Sequence, residues 1–290
     1  MAKIRDILAA GKSWSFEFSP PRTPVAQEQF WPTLDELAVL HPSFFSVTYG
    51  AGGSTRDTTR DLVVGINRDR SITTMAHLTC AAHRRIELEE LVTSYLDSGV
   101  VENILALGGD PPVGYDGPPG DLAYADELVD LVRGVGDFSV GVAAHPEPHP
   151  RSASLEADRE HTAAKLDRAD FAITQFFFAA HHYFELVASL ADLGCTKPVI
   201  PGVMPVTSIA AITRMAELQG SEIPRFLTDR LYAVEAQGPA AVLAEGVLAA
   251  TELCEELLDG GVPGLHFFAF NRTTALAARD IHQNLGLPRR

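Results

Sequence analysis

The chain has 290 residues and 46% hydrophobic content, enough for one large barrel or two ordinary domains around a substantial core. Its 23 basic and 38 acidic residues leave a net charge of −15, which argues against nucleic acid and anionic membrane surfaces as partners but leaves room for an anionic small ligand in a local basic pocket. Cys80, Cys195 and Cys254 are an odd set with no CxxC or Cys/His metal spacing, so a reduced, cytoplasmic setting is expected.

Met1–Trp14 carries cations but no apolar h-region, so no signal peptide is expected, and no later apolar run is long enough to span a bilayer. The first strand is predicted at Trp14–Phe18, where Phe16 and Phe18 alternate with Ser15, Glu17 and Ser19 until Pro20-Pro21 stops the run. Glu17 then faces inward near a strand end, as a carboxylate that must be paired, protonated or working. Further strands are expected at Phe44–Tyr49, Thr73–Thr79, Asn103–Leu107, Phe138–Ala143, Ala172–Phe177, Val199–Val203 and Leu265–Phe270. Most are near-continuous apolar runs, the pattern of parallel strands covered on both faces.

Helical patterns fill the intervals at Gln27–Leu40, Thr55–Asn67, Ile86–Leu96, Tyr124–Val132, Leu155–Leu166, Tyr183–Leu193, Ile209–Leu218 and Thr273–Leu285. About eight strands alternating with about eight helices predict an α/β fold, a (β/α)8 TIM barrel, with residues 1-290 forming a single catalytic domain. A doubly wound open sheet is the competitor, weakened by the lack of a GxGxxG turn and of a composition break. Between the seventh and eighth strands, Glu222–Gly261 reads as extra helix, rich in Ala, Leu and Glu over Pro239–Leu258.

In such a barrel the active site is built from the C-terminal ends of the strands. Those ends carry Glu17, Thr48, Tyr49, His77, Thr79, Asp110, His145, His149, Gln175, Pro201, Pro205, Asn271 and Arg272, while the strand bodies are apolar. Asp110 closes a glycine-rich turn, either as a loop residue capping that turn or as a carboxylate for a ligand. Gln175 sits in an aromatic run and needs hydrogen-bond partners, which a heteroaromatic ligand edge would supply. His145 and His149 are spaced like metal ligands, but the prolines between them forbid the helix that would align them, and no third ligand is in register. No metal is expected. His181-His182 reads as a helix start, and no GxSxG turn supports a nucleophile.

Taken together, these strand ends resemble the methylenetetrahydrofolate reductase family. The matching stretches are Ser15–Arg22 (SFEFSPPR), Ser46–Ala51 (SVTYGA), His77–Cys80 (HLTC), Leu105–Pro112 (LALGGDPP), Val142–Pro150 (VAAHPEPHP), Ala172–Phe178 (AITQFFF), Ile200–Val206 (IPGVMPV) and His266–Arg272 (HFFAFNR), in order over nearly the whole chain. The resemblance implies reduction of 5,10-methylenetetrahydrofolate to 5-methyltetrahydrofolate with NADH or NADPH. It makes Glu17 the general acid, expected to have a raised pKa, and Asp110 the catalytic, pterin-binding aspartate. It makes Gln175 a second substrate contact and Arg272 the partner of the folate's anionic tail. Thr48, His77, His145, His149 and Lys165 fall at cofactor-binding positions.

The family ordinarily relays hydride through bound FAD, and here the pattern departs from it. Gly108 and Ala164 stand where arginines are usual, His161 where Asn is usual, His145 where Tyr is usual and Ile209 where Phe is frequent. Losing two charge-assisted phosphate contacts, at roughly 1.5–3 kcal/mol each, predicts weak or absent FAD unless Arg151 and Arg159 substitute. A flavin-weak or flavin-independent NAD(P)H enzyme is therefore expected. The alternatives are the standard FAD-dependent ping-pong enzyme, a non-catalytic folate-binding barrel, and another oxidoreductase on the same barrel.

Overall fold

In the computed structural model, which describes residues 1–50, 55–110 and 114–288, eight parallel strands close into a barrel in chain order. Ala51, Pro111 and Pro112 of the motifs above, and Arg289-Arg290 at the chain end, lie outside the described residues. The strands are β1 (Ser13–Phe18), β2 (Phe44–Val47), β3 (Thr74–Thr79), β4 (Asn103–Leu107), β5 (Ser139–Ala144), β6 (Phe171–Phe176), β7 (Val199–Val203) and β8 (Gly264–Phe268). The helices that cover them are α2 (Pro24–Ala38), α3 (Arg56–Arg70), α4 (Arg85–Asp97), α5 (Ala125–Val135), α6 (Leu155–Arg168), α7 (Ala180–Asp192), α8 (Ile209–Gln219), α9 (Arg225–Glu235), α10 (Pro239–Asp259) and α11 (Arg272–Asn284), with α1 (Ile4–Ala10) ahead of β1. The expected barrel is the observed one. The helical excess between β7 and β8 is two helices, α9 and α10, rather than one.

Strand alternation divides the apolar residues into two layers. Phe16, Phe18, Phe45, Val47, Ala76 and Leu78 point outward under the helices, in the core between barrel and helical shell. Phe44, Met75, Leu105, Phe171, Ile173 and Ile200 fill the barrel itself. The bottom of that filling is closed by α1, a seven-residue helix too short for its period to stand out in the sequence. Ile4 is wholly buried there, a change worth about 1.5–3 kcal/mol for such a side chain. Its N–H donates to Asn103 Oδ1 at 2.7 Å, and Arg5 N–H donates to Ser139 Oγ at 3.1 Å, so strand-start polar groups satisfy the helix's free donors. The lumen is thus plugged and apolar from below. The polar groups at that end are used up in holding α1, so a ligand site can open only at the opposite, C-terminal rim.

Candidate active site

Ser15 and Glu17 share the inward face of β1, above the apolar filling. Glu17 is 5% exposed, and three neighbours converge on a single oxygen of its carboxylate. Oε2 accepts a hydrogen bond from Ser46 Oγ on β2 at 3.3 Å and lies 3.0 Å from His266 Nε2 on β8. His77 Nε2 on β3 stands 3.2 Å from the same atom, out of line for a hydrogen bond. None of these contacts falls on Oε1. The barrel's closure makes this corner, because β1 pairs with both β2 and β8 and sets Ser15 opposite His266 and Glu17 opposite Ser46.

Burial pushes the Glu17 carboxyl up, but the charge of His77 and the hydrogen bond from His266 together outweigh it, so the group is held below the ordinary carboxylate range. The expected raised pKa is therefore reversed, and the reason is the pair of imidazoles, His77 and His266, both distant from Glu17 in sequence. Ser15 Oγ lies 2.7 Å from His266 Nδ1 and donates to the Leu265 carbonyl at 3.4 Å. That hydroxyl can donate to Nδ1 of a neutral ring or accept from an imidazolium, so it fits His266 in either protonation state.

The facing side of the rim is looser. Gly109 leaves β4 at φ 74°, in the left-handed region, and an added Cβ would meet Thr79 Cβ at 2.6 Å, so the turn that presents Asp110 requires glycine. The Asp110 side chain is 75% exposed and pairs with Arg151 at 3.2 Å. Thr48, half-buried at the end of β2, donates to Ser19 Oγ at 3.3 Å. His145 and His149 stack edge to face with centroids 4.7 Å apart. Burial first, then the nearby Lys165 and His149, lowers the His145 pKa to about 3, so this imidazole is neutral. Lys165 is half-buried on α6, and burial lowers its pKa.

Gln175 reaches the rim on β6. Its Nε2 donates to Gln219 Oε1 at 2.9 Å and its Oε1 accepts from the Phe176 N–H at 3.1 Å. Arg272 is not brought to this cluster. From the start of α11 it donates to Thr33 Oγ1 at 3.2 Å and pairs with Glu36 at 2.7 Å, joining the outer helices α11 and α2. Arg159 has both terminal nitrogens engaged within the fold, while its Nε has no hydrogen-bond partner among the described residues. It is buried, donates to the carbonyls of His145 (2.7 Å) and Pro146 (2.5 Å), and pairs with Asp158 at 3.1 Å, holding the β5 loop in shape. Among the described residues no group of three His, Cys, Asp or Glu side chains is disposed to hold a metal ion, and no helix is long and apolar enough to cross a membrane.

Ser15, Ser46, His266 and Gln219 complete the site without having been singled out in the sequence. For His266 the signal was alternation parity on the last strand, read together with closure of the barrel beside β1.

The family model for methylenetetrahydrofolate reductase matches residues 3–286. The 5,10-methylenetetrahydrofolate reductase of Pectobacterium carotovorum is 35% identical over 259 residues, covering 89% of this chain and 85% of that protein. Methylenetetrahydrofolate reductase (NADH) 1 of Arabidopsis thaliana is 34% identical and covers 98% of this chain, which spans 50% of the plant protein. Among solved structures, a Clostridium thermocellum protein described as binding two copies of 5-methyl-5,6,7,8-tetrahydrofolic acid superposes with a TM-score of 0.69 at 15% identity, over 97% of this chain and 99% of its own. At that identity the likeness concerns the fold.

Proposed function

The chain belongs to the methylenetetrahydrofolate reductase family, and from that premise we infer an enzyme that reduces 5,10-methylenetetrahydrofolate to 5-methyltetrahydrofolate with NADH or NADPH. The observation that carries the reading is Glu17, an inward carboxylate at the rim of a plugged barrel, held between two imidazoles. Opening the bridged one-carbon unit requires a proton on the folate nitrogen that departs. The resting carboxylate takes up a proton on Oε1, the oxygen free of the Oε2 contacts, and passes it to that nitrogen, which returns Glu17 to the ionised form that Ser46 and His266 hold. Ring opening leaves an iminium cation. Asp110, across the rim, accepts hydrogen bonds from the pterin's donors and stabilises the positive charge. Hydride from the nicotinamide then adds to the iminium carbon, giving the methyl group and the oxidised nicotinamide.

We propose that the hydride passes without a tightly held flavin. A flavin dinucleotide brings a pyrophosphate that needs cations or free N–H groups. At Gly108 an added Cβ would meet nothing within 4 Å, so the backbone admits a side chain there and no cation is present. Ala164 is exposed and Arg159 is engaged with the β5 loop, so on the β5–α6 side of the rim the charge falls to Lys165 and the exposed Arg151. The residues present do not fit the dinucleotide's charge. Thr48, His77, His145, His149 and Lys165 are assigned instead to the nicotinamide co-substrate, and the anionic tail of the folate is left to groups other than Arg272. The test is NADH and NADPH oxidation by purified protein with and without 5,10-methylenetetrahydrofolate. Folate-dependent turnover by protein lacking the flavin absorbance bands is expected. Protein that elutes yellow with stoichiometric FAD would restore the flavin route, and no folate-dependent turnover would remove the reductase reading.

A further inference from the structure

Gln219 is the last residue of α8, on the segment that leads into the helical excess between β7 and β8, and its side chain crosses to β6. The ladder between β6 and β7 shifts register between Ile173 and Phe176, a bulge of the kind that re-aims a side chain next to an active site. The neighbouring strand is shaped for it. An added Cβ at Gly202 would come within 2.3 Å of the Thr174 carbonyl, while the Gly202 N–H donates to Thr174 Oγ1 at 2.8 Å. The bulge brings the Phe176 N–H onto the side chain of Gln175.

That contact fixes a direction. A backbone N–H can only donate, so the atom of Gln175 at 3.1 Å must be its oxygen and the other end of the amide must be its nitrogen. The Gln175 nitrogen donates to Gln219, so the Gln219 atom at 2.9 Å is its oxygen, and its NH2 group points away from the pair. Two amides in series therefore run with one polarity, from a backbone donor to a free NH2. The N–H groups left over for a ligand are the second hydrogen of Gln175 Nε2 and both hydrogens of Gln219 Nε2, while each amide oxygen keeps one lone pair beside the bond it already accepts. The end of α8 is braced against the β5 loop, where the Glu222 N–H donates to Glu147 Oε1 at 2.9 Å.

We propose that Gln219 is a positioning and specificity-determining residue for the folate ring: it locks Gln175 as a donor, so that the pair reads a hydrogen-bond acceptor on the pterin, its ring carbonyl. This deepens the reductase reading and rests on it. Asp110 can only accept from the ring when ionised, whereas the Gln175–Gln219 pair donates to it. Together they tell a 2-amino-4-oxo ring from a 2,4-diamino ring, which places an amino donor where the carbonyl acceptor stood.

The test uses the wild type, Gln219→Leu and Gln219→Glu, with steady-state kinetics and dissociation constants for folic acid and its 2,4-diamino counterpart. Wild-type turnover with folate tests the reductase reading separately, before either variant is considered. Gln219→Leu removes the acceptor that holds Gln175; we expect the Michaelis constant for 5,10-methylenetetrahydrofolate to rise about tenfold, with kcat and the constant for NADH within about twofold. Gln219→Glu still accepts from Gln175 but presents oxygen where NH2 stood; we expect the preference for the 4-oxo ring to fall at least about tenfold. Unchanged folate kinetics in Gln219→Leu, a parallel rise in both Michaelis constants, or unchanged ring preference in Gln219→Glu would each overturn the assignment.

Discussion

Ser15, Glu17, Ser46, His77 and His266 are all buried on four adjacent strands, and each lies within reach of another of the set. Across the rim, Asp110 and Arg151 reach into solvent from loops, and Lys165 and Gln175 are half-buried. The first side has its geometry fixed by strand register, in a place where the apolar plug beneath keeps the dielectric low. The second side has Asp110, Arg151 and Lys165 on loops and a helix face, where conformations are cheaper to change, with Gln175 on strand β6 beside them. A proton must be moved at a fixed point, whereas a ring and its cofactor must enter and leave. The rigid side suits the chemistry and the adaptable side suits binding.

Removing the acid should separate the two sides most sharply. Glu17→Gln keeps the shape of the side chain and its place beside Ser46 and His266 but cannot carry a proton. We expect kcat for folate-dependent NADH oxidation to fall about 10³-fold, with folate affinity within a few-fold of the wild type by equilibrium titration. A variant that keeps kcat within tenfold would show that the buried corner is structural and that the chemistry lies elsewhere.

On the loose side, the missing cations should be restorable. An arginine at Gly108 meets open space, and one at Ala164 projects from an exposed helix face. Gly108→Arg combined with Ala164→Arg is expected to tighten FAD binding by about a hundredfold, from two charge-assisted contacts at the low end of their range. Titration followed by flavin fluorescence measures it. If the wild type already binds FAD as tightly as the double variant, the two arginines are not what this rim lacks.

The neutral substitution Asp110→Asn probes the same side from the substrate's direction. It keeps the exposed loop and removes one charge, so folate kcat/KM should fall about 10- to 100-fold while the melting temperature stays within about 1 °C, because an exposed pair with Arg151 holds little stability. Unchanged kcat/KM would leave Asp110 as a surface residue.

The rigid and loose sides also differ in how far they could be read from the chain. The period-2 placement of Glu17 on β1, the apolar strand runs and the helical intervals are local signals, and the barrel with its inward acid follows from them. His266 could not be assigned that way, since its meeting with Glu17 depends on the last strand closing against the first. The same distance hid the pKa: burial alone, which the sequence suggests, points up, and the two imidazoles reverse it. Arg272 and Arg159 show the opposite failure. Each matches a plausible place in the chain, yet a nearby carboxylate, Glu36 or Asp158, engages it within the fold. Arg272 reaches an acid distant in sequence, and Arg159, beside Asp158 in the chain, is turned by the fold onto the His145 and Pro146 carbonyls, which no local pattern records. Gln219 escaped notice because a β-bulge, a property of two strands together, creates its partner's orientation.

The smallest expected effect concerns stability on the loose side, and it is separable from that of Glu17 by pH. His145 has its pKa lowered to about 3 in the folded protein, first by burial and then by Lys165 and His149, while Asp158 pulls it the other way. The unfolded chain binds a proton at this imidazole near its ordinary value of 6.5, so between about 3 and 6.5 the unfolded state holds more protons. The stabilisation is therefore complete above 6.5 and is lost as pH falls through that window. Glu17, also lowered, changes only as pH drops below its ordinary 4.5, so urea unfolding between about pH 5 and 7 leaves its contribution constant, and the difference between wild type and variant isolates His145. His149, lowered in the same direction, leaves some slope behind when His145 is replaced. Replacing His145 by Gln should flatten the pH dependence by no more than about 1.4 kcal/mol per pH unit, the limit for one proton, with the curves parting below 6.5 and running parallel above it. If the slope is the same with and without His145, the imidazole is solvated in the folded protein, and the β5 side of the rim is more open than its packing against His149 indicates.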